Sequence, residues 1–457
     1  MAKDLLKDIV ALCKRRGFIF PGSEIYGGLA NTWDYGPMGA ELKNNVKREW
    51  WKYFIQARPD MVGLDSSILM HPKTWIASGH VEGFSDPLVE CLACKKRFRG
   101  DQLLEEQVKI SAVGMGLPEI GKTIKEKGVK CPECGHDKLA EPKKFNLMFS
   151  TQMGAVEGES LTVYLRPETA QGIFVNFNNV LNSTRIKLPF GIGQTGKSFR
   201  NEITPKQFIF RTREFEQMEI EYFVKPGTED ASFQEWVEYS KNWFFQLGIQ
   251  PKNLAMREHD PKELAFYSKR TVDLEYRFPW GFGELVGIAS RTDYDLKQHN
   301  LYAEEKLEYQ DQITNEKFIP YVIEPSFGVD RAVLTFLLEA YQEEKLEERT
   351  RTVLKLHPRL APVKIGIFAL KRNAPELIEI SSSLFRDFCP LWNVQLDNSG
   401  NIGKAYSRQD EIGTPFCVTV DFQTLSDKTV TVRSRDSMQQ ERISLDQIKN
   451  YFRENLD

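Results

Sequence analysis

At 457 residues the chain is long enough for two to four domains and a sizeable core. With 41% hydrophobic and 27% charged residues its composition is that of a globular protein and excludes a disordered one, and no apolar run approaches the ~18 residues of a membrane-spanning helix. A net charge of −3, from 61 basic and 64 acidic residues, announces no nucleic-acid partner but leaves room for a local basic face. The first residues, Met1-Ala2-Lys3-Asp4-Leu5-Leu6-Lys7-Asp8, lack the apolar segment of a secretory signal. Seven cysteines, four of them in two CxxC pairs, fit a reducing compartment and a bound metal better than disulfides. The expected location is the cytoplasm.

In chain order, Leu42, Val46, Trp50, Tyr53 and Phe54 recur at helical spacing after Gly36-Pro37, which predicts an amphipathic helix over 38–58. Residues 90–140 read as an insertion bounded by the CxxC pairs, with a charged helical middle. From about 160 to 330, short alternating or apolar runs separated by Gly, Pro and Asn predict an antiparallel sheet with long connections. A helix over 329–347 follows, and 349–361, containing His357-Pro358-Arg359, reads as a linker. Beyond it, strands at 363–368, 416–422 and 430–433 alternate with helices at 375–388 and 445–452. The expected fold class is α+β. An antiparallel-sheet catalytic body (1–348, with the insertion at about 88–145) flanked by helices is followed by an α/β domain over 362–457.

Two strands break the rule of apolar interiors. Period-two alternation over 215–224 puts Met218, Ile220, Tyr222 and Val224 on one face and Phe215, Gln217, Glu219 and Glu221 on the other. Upstream, Arg200 and Glu202 share a face, and the loop between leads into Arg211-Thr212-Arg213-Glu214. One hairpin thus gathers three arginines, an aromatic ring and several carboxylates. A solvated sheet face with cross-strand ion pairs is the plainer explanation, and the concentration around one loop argues against it. In Glu324-Pro325-Ser326-Phe327-Gly328-Val329-Asp330-Arg331 an apolar strand turns into a helix, with Gly328 able to approach a ligand and Arg331 in the first helical turn. Arg166-Pro167-Glu168 reads most simply as a helix start, its acid favoured by the helix dipole.

Together these segments resemble class II aminoacyl-tRNA synthetases. Phe199-Arg200-Asn201-Glu202 with Arg213-Glu214-Phe215 resembles the second class motif, Gly328-Val329-Asp330-Arg331 the third, and residues 60–72 the first, which forms dimers. The resemblance narrows to the dimeric α2 glycyl-tRNA synthetase family through Gly22-Ser23-Glu24-Ile25-Tyr26-Gly27-Gly28, Trp33-Asp34-Tyr35-Gly36-Pro37 and Ser78-Gly79-His80-Val81. It continues through Gly403-Lys404-Ala405-Tyr406-Ser407-Arg408 and Val432-Arg433-Ser434-Arg435.

That resemblance implies an enzyme that activates glycine with ATP to glycyl-adenylate and transfers it to the 3′ end of tRNA(Gly). Arg200, Glu202 and Arg331 are the implied catalytic residues. Arg200 bridges the glycine carboxylate and the α-phosphate, and Arg331 holds the far phosphates. Asn201, Phe210, Arg211, Thr212, Arg213, Glu214, Phe215, Glu284, Leu285, Gly328, Val329 and Asp330 complete the implied ATP site, with Phe215 stacked on adenine and Glu284 on Mg²⁺. Glycine falls to Arg99, Glu168, Phe215, Glu216, Gln217, Met218, Glu219, Glu324, Pro325, Ser326, Phe327 and Gly328. Three of these, Glu168, Glu219 and Glu324, are carboxylates around one ammonium, so nearby arginines or a raised carboxyl pKa must compensate. The C-terminal domain resembles an anticodon-binding domain, although residues 362–457 hold 12 Lys+Arg against 13 Asp+Glu. Arg408, Arg433, Arg435 and Arg442 are its candidate RNA contacts.

The alternatives are a non-catalytic, nucleic-acid-binding synthetase paralogue, which has no need of Arg200, Glu202, Phe215, Glu284 and Arg331 together, and a sister enzyme for another amino acid. Independently of the family, Cys91-Leu92-Ala93-Cys94 and Cys131-Pro132-Glu133-Cys134, with 36 residues between them, supply the four ligands of a closed structural zinc site. Pro132 and Gly135 suit the tight turn, and His136 is a spare ligand. Four free thiols are the competing reading.

Overall fold

The computed structural model describes residues 4–154, 160–203, 207–265, 267–347, 350–397 and 401–456. Its centre is a seven-stranded sheet of β1 (Met61–Leu64), β2 (Phe190–Phe199), β3 (Glu214–Val224), β4 (Leu254–Glu258), β5 (Arg270–Phe278), β6 (Gly281–Thr292) and β7 (Tyr321–Gly328). The strand order is β4-β5-β6-β7-β3-β2-β1, antiparallel throughout except for the edge strand β1, which runs parallel to β2. The helices that frame the site and its supports are, in chain order, α1 (Leu5–Arg16), α2 (Pro37–Trp51), α3 (Ala170–Phe174), α4 (Glu229–Gln246), α5 (Tyr294–Tyr302), α6 (Val329–Ala340) and, in the C-terminal domain, α7 (Ile402–Ile412).

Both faces of the sheet are covered, which is why its strands read as apolar runs as often as alternating ones. On one face Met218, Ile220, Tyr222 and Val224 join Trp50, Phe54, Trp236, Trp243 and Phe327 beneath α2, α4 and α6. The opposite face packs Phe190, Phe223 and Ile192 against Ala170, Ile173 and Phe174 of α3 and Leu296 of α5. The alternation in β3 therefore sends its hydrophobic set into one core and its polar set beneath α3 and α5.

The helix expected over 38–58 begins at Pro37 and ends as a turn of π-helix over Lys52–Gln56. The helix expected over 329–347 stops at Ala340. Tyr341–Lys345 pairs instead with Thr350–Leu354, because Leu354 and Val353 supply an apolar partner strand that periodicity in a charged run does not reveal. The stretch read as a linker is packed over its described residues, with Leu354, Leu356 and Leu360 in the main core; Arg349 lies outside them. In the C-terminal region a five-stranded mixed sheet carries Ile365–Ala369, Phe416–Val420 and Thr429–Ser434, with Pro375–Phe388 and Ile448–Leu456 helical. The expected strand over 416–422 ends at Val420, because Asp421 caps a further helix, Phe422–Asp427. The insertion is a three-stranded sheet (Arg97–Arg99, Ser85–Glu90 and Lys143–Asn146, in that order across it) with two helices, Gly100–Val108 and Leu117–Glu126.

Candidate active site

β2 and β3 end beside β6, β7 and the start of α6, where a cleft of about 340 Å³ opens. Its lining includes Arg200, Glu202, Phe210, Arg211, Thr212, Phe215, Gln217, Glu284, Leu285, Ser326, Gly328, Asp330 and Arg331. Arg99 reaches the same cleft from the insertion, as do Phe84 and Asp86, which the sequence reading did not single out.

The cations in the cleft are oriented. Arg200 donates from Nε to the Pro167 carbonyl at 3.0 Å, and its guanidinium lies 5.3 Å from the ring centres of both Phe84 and Phe215. Arg331 donates to the carbonyls of Phe210 (3.2 Å) and Glu284 (2.9 Å), pairs with the Glu284 carboxylate at 3.1 Å and stacks over the Phe210 ring. The guanidinium of Arg331, with Arg200 and Arg211 beyond it, holds the Glu284 carboxyl below the usual carboxylate range. Arg99 is gripped by Asp86 at 2.9 Å and Asp101 at 2.6 Å. Arg200 is held through Nε and Arg331 through Nε and Nη1, so donors remain on both for phosphate oxygens, while all three nitrogens of Arg99 are engaged by carboxylates.

Deeper, under α3 and α5, lies a buried polar cluster. Glu219 accepts from the hydroxyls of Thr169 and Ser326, the latter at 2.7 Å, and from Gln217 at 3.3 Å. Glu168 faces His80 at 3.3 Å and accepts from Gln171 at 3.0 Å. Glu324 pairs with Arg291, whose other edge holds Asp295 at 2.7 and 2.8 Å and whose plane stacks on Tyr267 at 4.1 Å. Burial raises Glu219, and the nearby Glu168 raises it further. For Glu168 burial is outweighed by His80 and Arg291, which hold it far below the ordinary range. Arg291 and Asp295 were not found from sequence. The signal was there: a charged residue in the otherwise apolar run Leu285-Val286-Gly287-Ile288-Ala289-Ser290 needs a buried partner.

Several residues implied by the resemblance turn other ways or are already engaged, and for those on the strands parity is the reason. Met218, Phe327 and Val329 point into the main core, and Pro325 is buried with that face. Glu216 lines the cleft, but its carboxylate is paired with Lys43 (3.0 Å) and Lys47 (2.8 Å) of α2. Asp330 is engaged by Lys43 at 3.1 Å and by the Glu216 amide at 2.9 Å. Glu214 is exposed and paired with Lys197. Arg213 donates to the carbonyls of Glu202 and Ala30, and Asn201 enters through its amide, bound to the Leu147 carbonyl at 2.7 Å. The Glu168 carboxylate is held by side chains and not by the dipole of α3, which spans five residues only.

The four insertion cysteines converge. Their sulfurs all lie within 4.8 Å of one another, with Cys91–Cys134 and Cys94–Cys131 each at 3.6 Å. A tetrahedral ion with bonds of about 2.3 Å needs sulfurs about 3.8 Å apart, so this donor set fits zinc. The two knuckles share a plan. The Cys91 and Cys131 amides reach Lys96 and His136 carbonyls, and Lys95 and Gly135 take left-handed conformations. His136 is not part of the cluster.

The fold, cleft and appended α/β domain are those of a class II synthetase. A model of the tRNA synthetase class II core domain (G, H, P, S and T) matches residues 155–341, and one of the anticodon binding domain matches 364–455. The chain is 55% identical to a glycine–tRNA ligase of Caldanaerobacter subterraneus subsp. tengcongensis (99% of each chain) and 55% identical to that of Alkaliphilus oremlandii (99% of this chain, 98% of the relative). It is 53% identical to that of Bacillus cereus over 99% of each. The chain belongs to the glycine–tRNA ligase family. Among the described residues no helix is long and apolar enough to cross a membrane.

Proposed function

We propose that the chain activates glycine with ATP in the cleft and transfers it to tRNA(Gly), working as a cytoplasmic homodimer. The observation that carries this reading is the junction of two unlike environments. An arginine-lined cleft opens onto a buried carboxylate cluster through Gln217 and Ser326, both of which line the cleft and hydrogen-bond Glu219. Glycine has no side chain to grip, so its ammonium goes to Glu219, Glu168 and Glu324 and its carboxylate toward Arg200. The carboxylate oxygen attacks the α-phosphorus, the bond to the β-phosphate oxygen breaks, and pyrophosphate leaves beside Arg331 and Arg211. Charge builds on phosphate oxygens during this step, and prealigned guanidinium groups stabilise it more than in the ground state. A hydroxyl of the terminal ribose then attacks the glycyl carbonyl and AMP departs.

Mg²⁺ arriving with ATP neutralises phosphate charge. Glu284, which lines the cleft, is the carboxylate that would hold that ion. Exclusion of larger amino acids is steric, since the attraction of one methylene is worth only ~1–3 kcal/mol. The four cysteines hold a structural zinc that folds the insertion and so steadies Arg99 at the cleft. The non-catalytic alternative finds no support in a cleft where Arg200, Glu202, Phe215, Glu284 and Arg331 all line one cavity. Amino-acid-dependent pyrophosphate exchange with ATP tests the reading across the twenty amino acids. Glycine alone is expected to drive it; exchange with another amino acid, or none, overturns it.

A further inference from the structure

Glu221 is wholly buried, and neither of its carboxylate oxygens has a hydrogen-bond partner. The register that pairs Glu219 with Ser326 and Tyr222 with Ile323 sets Glu221 across from Glu324 on the neighbouring strand. Two carboxylates directly opposed in a dry sheet face repel each other, and a bare buried carboxylate is costly. The groups facing this pair from each packed element are few. β3 adds Glu219, α5 adds Asp295 and His299, the segment before α3 adds Glu168 with His80 against it, and Tyr267 covers Arg291. Arg291 of β6 is the one fixed cation among them, and its donors are taken by Asp295 and Glu324.

We infer that the opposed pair Glu221 and Glu324 carries one proton in the glycine-free protein and releases it when glycine's ammonium enters the pocket. Burial raises both carboxyls; Glu324 raises Glu221 further, and Glu219, Glu168 and Asp295 raise Glu324, against the opposing pull of Arg291. Burial lowers the His299 imidazole below its ordinary value, against the opposing pull of Asp295, and so disfavours a compensating charge there. In the exchange, the O–H bond of the protonated member breaks, the proton passes to solvent, and the substrate's positive charge takes over the neutralising role. The proton and the ammonium compete, so glycine binds more tightly as pH rises. Glu221 thus acts through Glu324 and is a positioning residue, not one that touches the reacting atoms.

This rests on reading Glu168, Glu219 and Glu324 as the ammonium pocket, and calorimetry separates the two claims. Glycine is titrated into the full chain at pH 7 in phosphate and in Tris, whose protonation heats differ widely. The expected result is a difference in heat equal to about one proton released per glycine, with affinity strengthening by up to about tenfold per pH unit between pH 6 and 8. Glu221→Gln, with ATP binding as its check of folding, should lose most of that buffer dependence. Equal heats in the two buffers, with glycine bound, overturn the proton exchange and leave the pocket standing. Release that persists in Glu221→Gln removes Glu221 from it. No glycine binding at all overturns the pocket reading and the exchange together. The wild-type buffer comparison decides the exchange even if the variant fails to fold.

Discussion

Arg200 is anchored through Nε by one backbone carbonyl and Arg331 through Nε and Nη1 by two, which fixes the direction of their remaining donors. An ammonium has no second edge to offer. Arg200→Lys and Arg331→Lys are therefore expected to keep the fold and lose more than tenfold in pyrophosphate exchange, because charge survives while the forked contact does not. Exchange within tenfold of the parent would remove these roles. Glu219 has the opposite character: three neutral donors converge on it, so its charge is free for a substrate cation. Glu219→Gln keeps the shape and removes that charge. Titration calorimetry should find glycine binding weakened at least tenfold and ATP binding little changed; equal losses would assign the residue to the nucleotide or the sheet. At this scale the sequence was legible where charge alternated with apolar residues, as in β3. It was illegible where a motif run mixed both faces, so that Met218, Phe327 and Val329 were grouped with the ligand contacts although parity turns them into the core.

Among the elements, the insertion and α7 carry the separable predictions. The helices and short strands of the insertion share a core of ten buried residues, two of them the ligands Cys91 and Cys131. A zinc held by the four cysteines would stabilise the same unit as this core, and protein purified without chelator should contain about one zinc per chain. Stripping it should expose the insertion to proteolysis and free Arg99, raising the KM for substrates before the rest of the chain unfolds. Four thiols freely reactive in metal-free native protein would overturn the site. In α7, Asp410 is buried between Arg351 at 2.8 Å and Arg433 at 2.9 Å, so it ties the hairpin after α6 to the C-terminal sheet. Burial alone would raise its carboxyl, yet the hydrogen bonds from Arg351 and Arg433 prevail and hold it below the ordinary value. A depressed folded pKa means this stabilisation is complete above the unfolded value of about 3.9 and is lost as pH falls through the folded one. Asp410→Asn should cost about 3–5 kcal/mol in chemical denaturation at pH 7, with the difference narrowing below pH 3.9. No sequence pattern led to α7, whose polar residues are buried by ion pairs and not by an apolar stripe. That same pairing removes Arg433 from the freely exposed cations expected to meet RNA.

For the whole molecule, the order of domains was legible because long apolar runs recur on both sides of residue 364, and the two large clusters fall largely one on each side, with Ile412 joining the first. The stretch before residue 364 was misread because its charges face outward while Leu354, Leu356 and Leu360 fill the main core. The assembly state has a physical argument of its own. β1 is an edge strand of four residues, and an unprotected edge invites pairing. Beside it, the loop to the helix Pro72–Ala77 leaves Leu69 and Ile76 each nearly half exposed. That helix packs against α5, where Leu301 is 74% and Tyr302 48% exposed. Such apolar side chains on adjoining elements at an open sheet edge form a surface that a second copy can cover, in the segment resembling the dimer-forming motif. A two-fold arrangement would bury the patch against itself, which requires only self-complementarity. Sedimentation at micromolar concentration should give a dimer of the full chain. The double substitution Leu69→Lys with Ile76→Glu should shift it toward monomer without unfolding either subunit, since both side chains are exposed in the isolated chain. A monomeric parent, or a variant dimer of unchanged strength, would send the search for the interface to another face of the sheet.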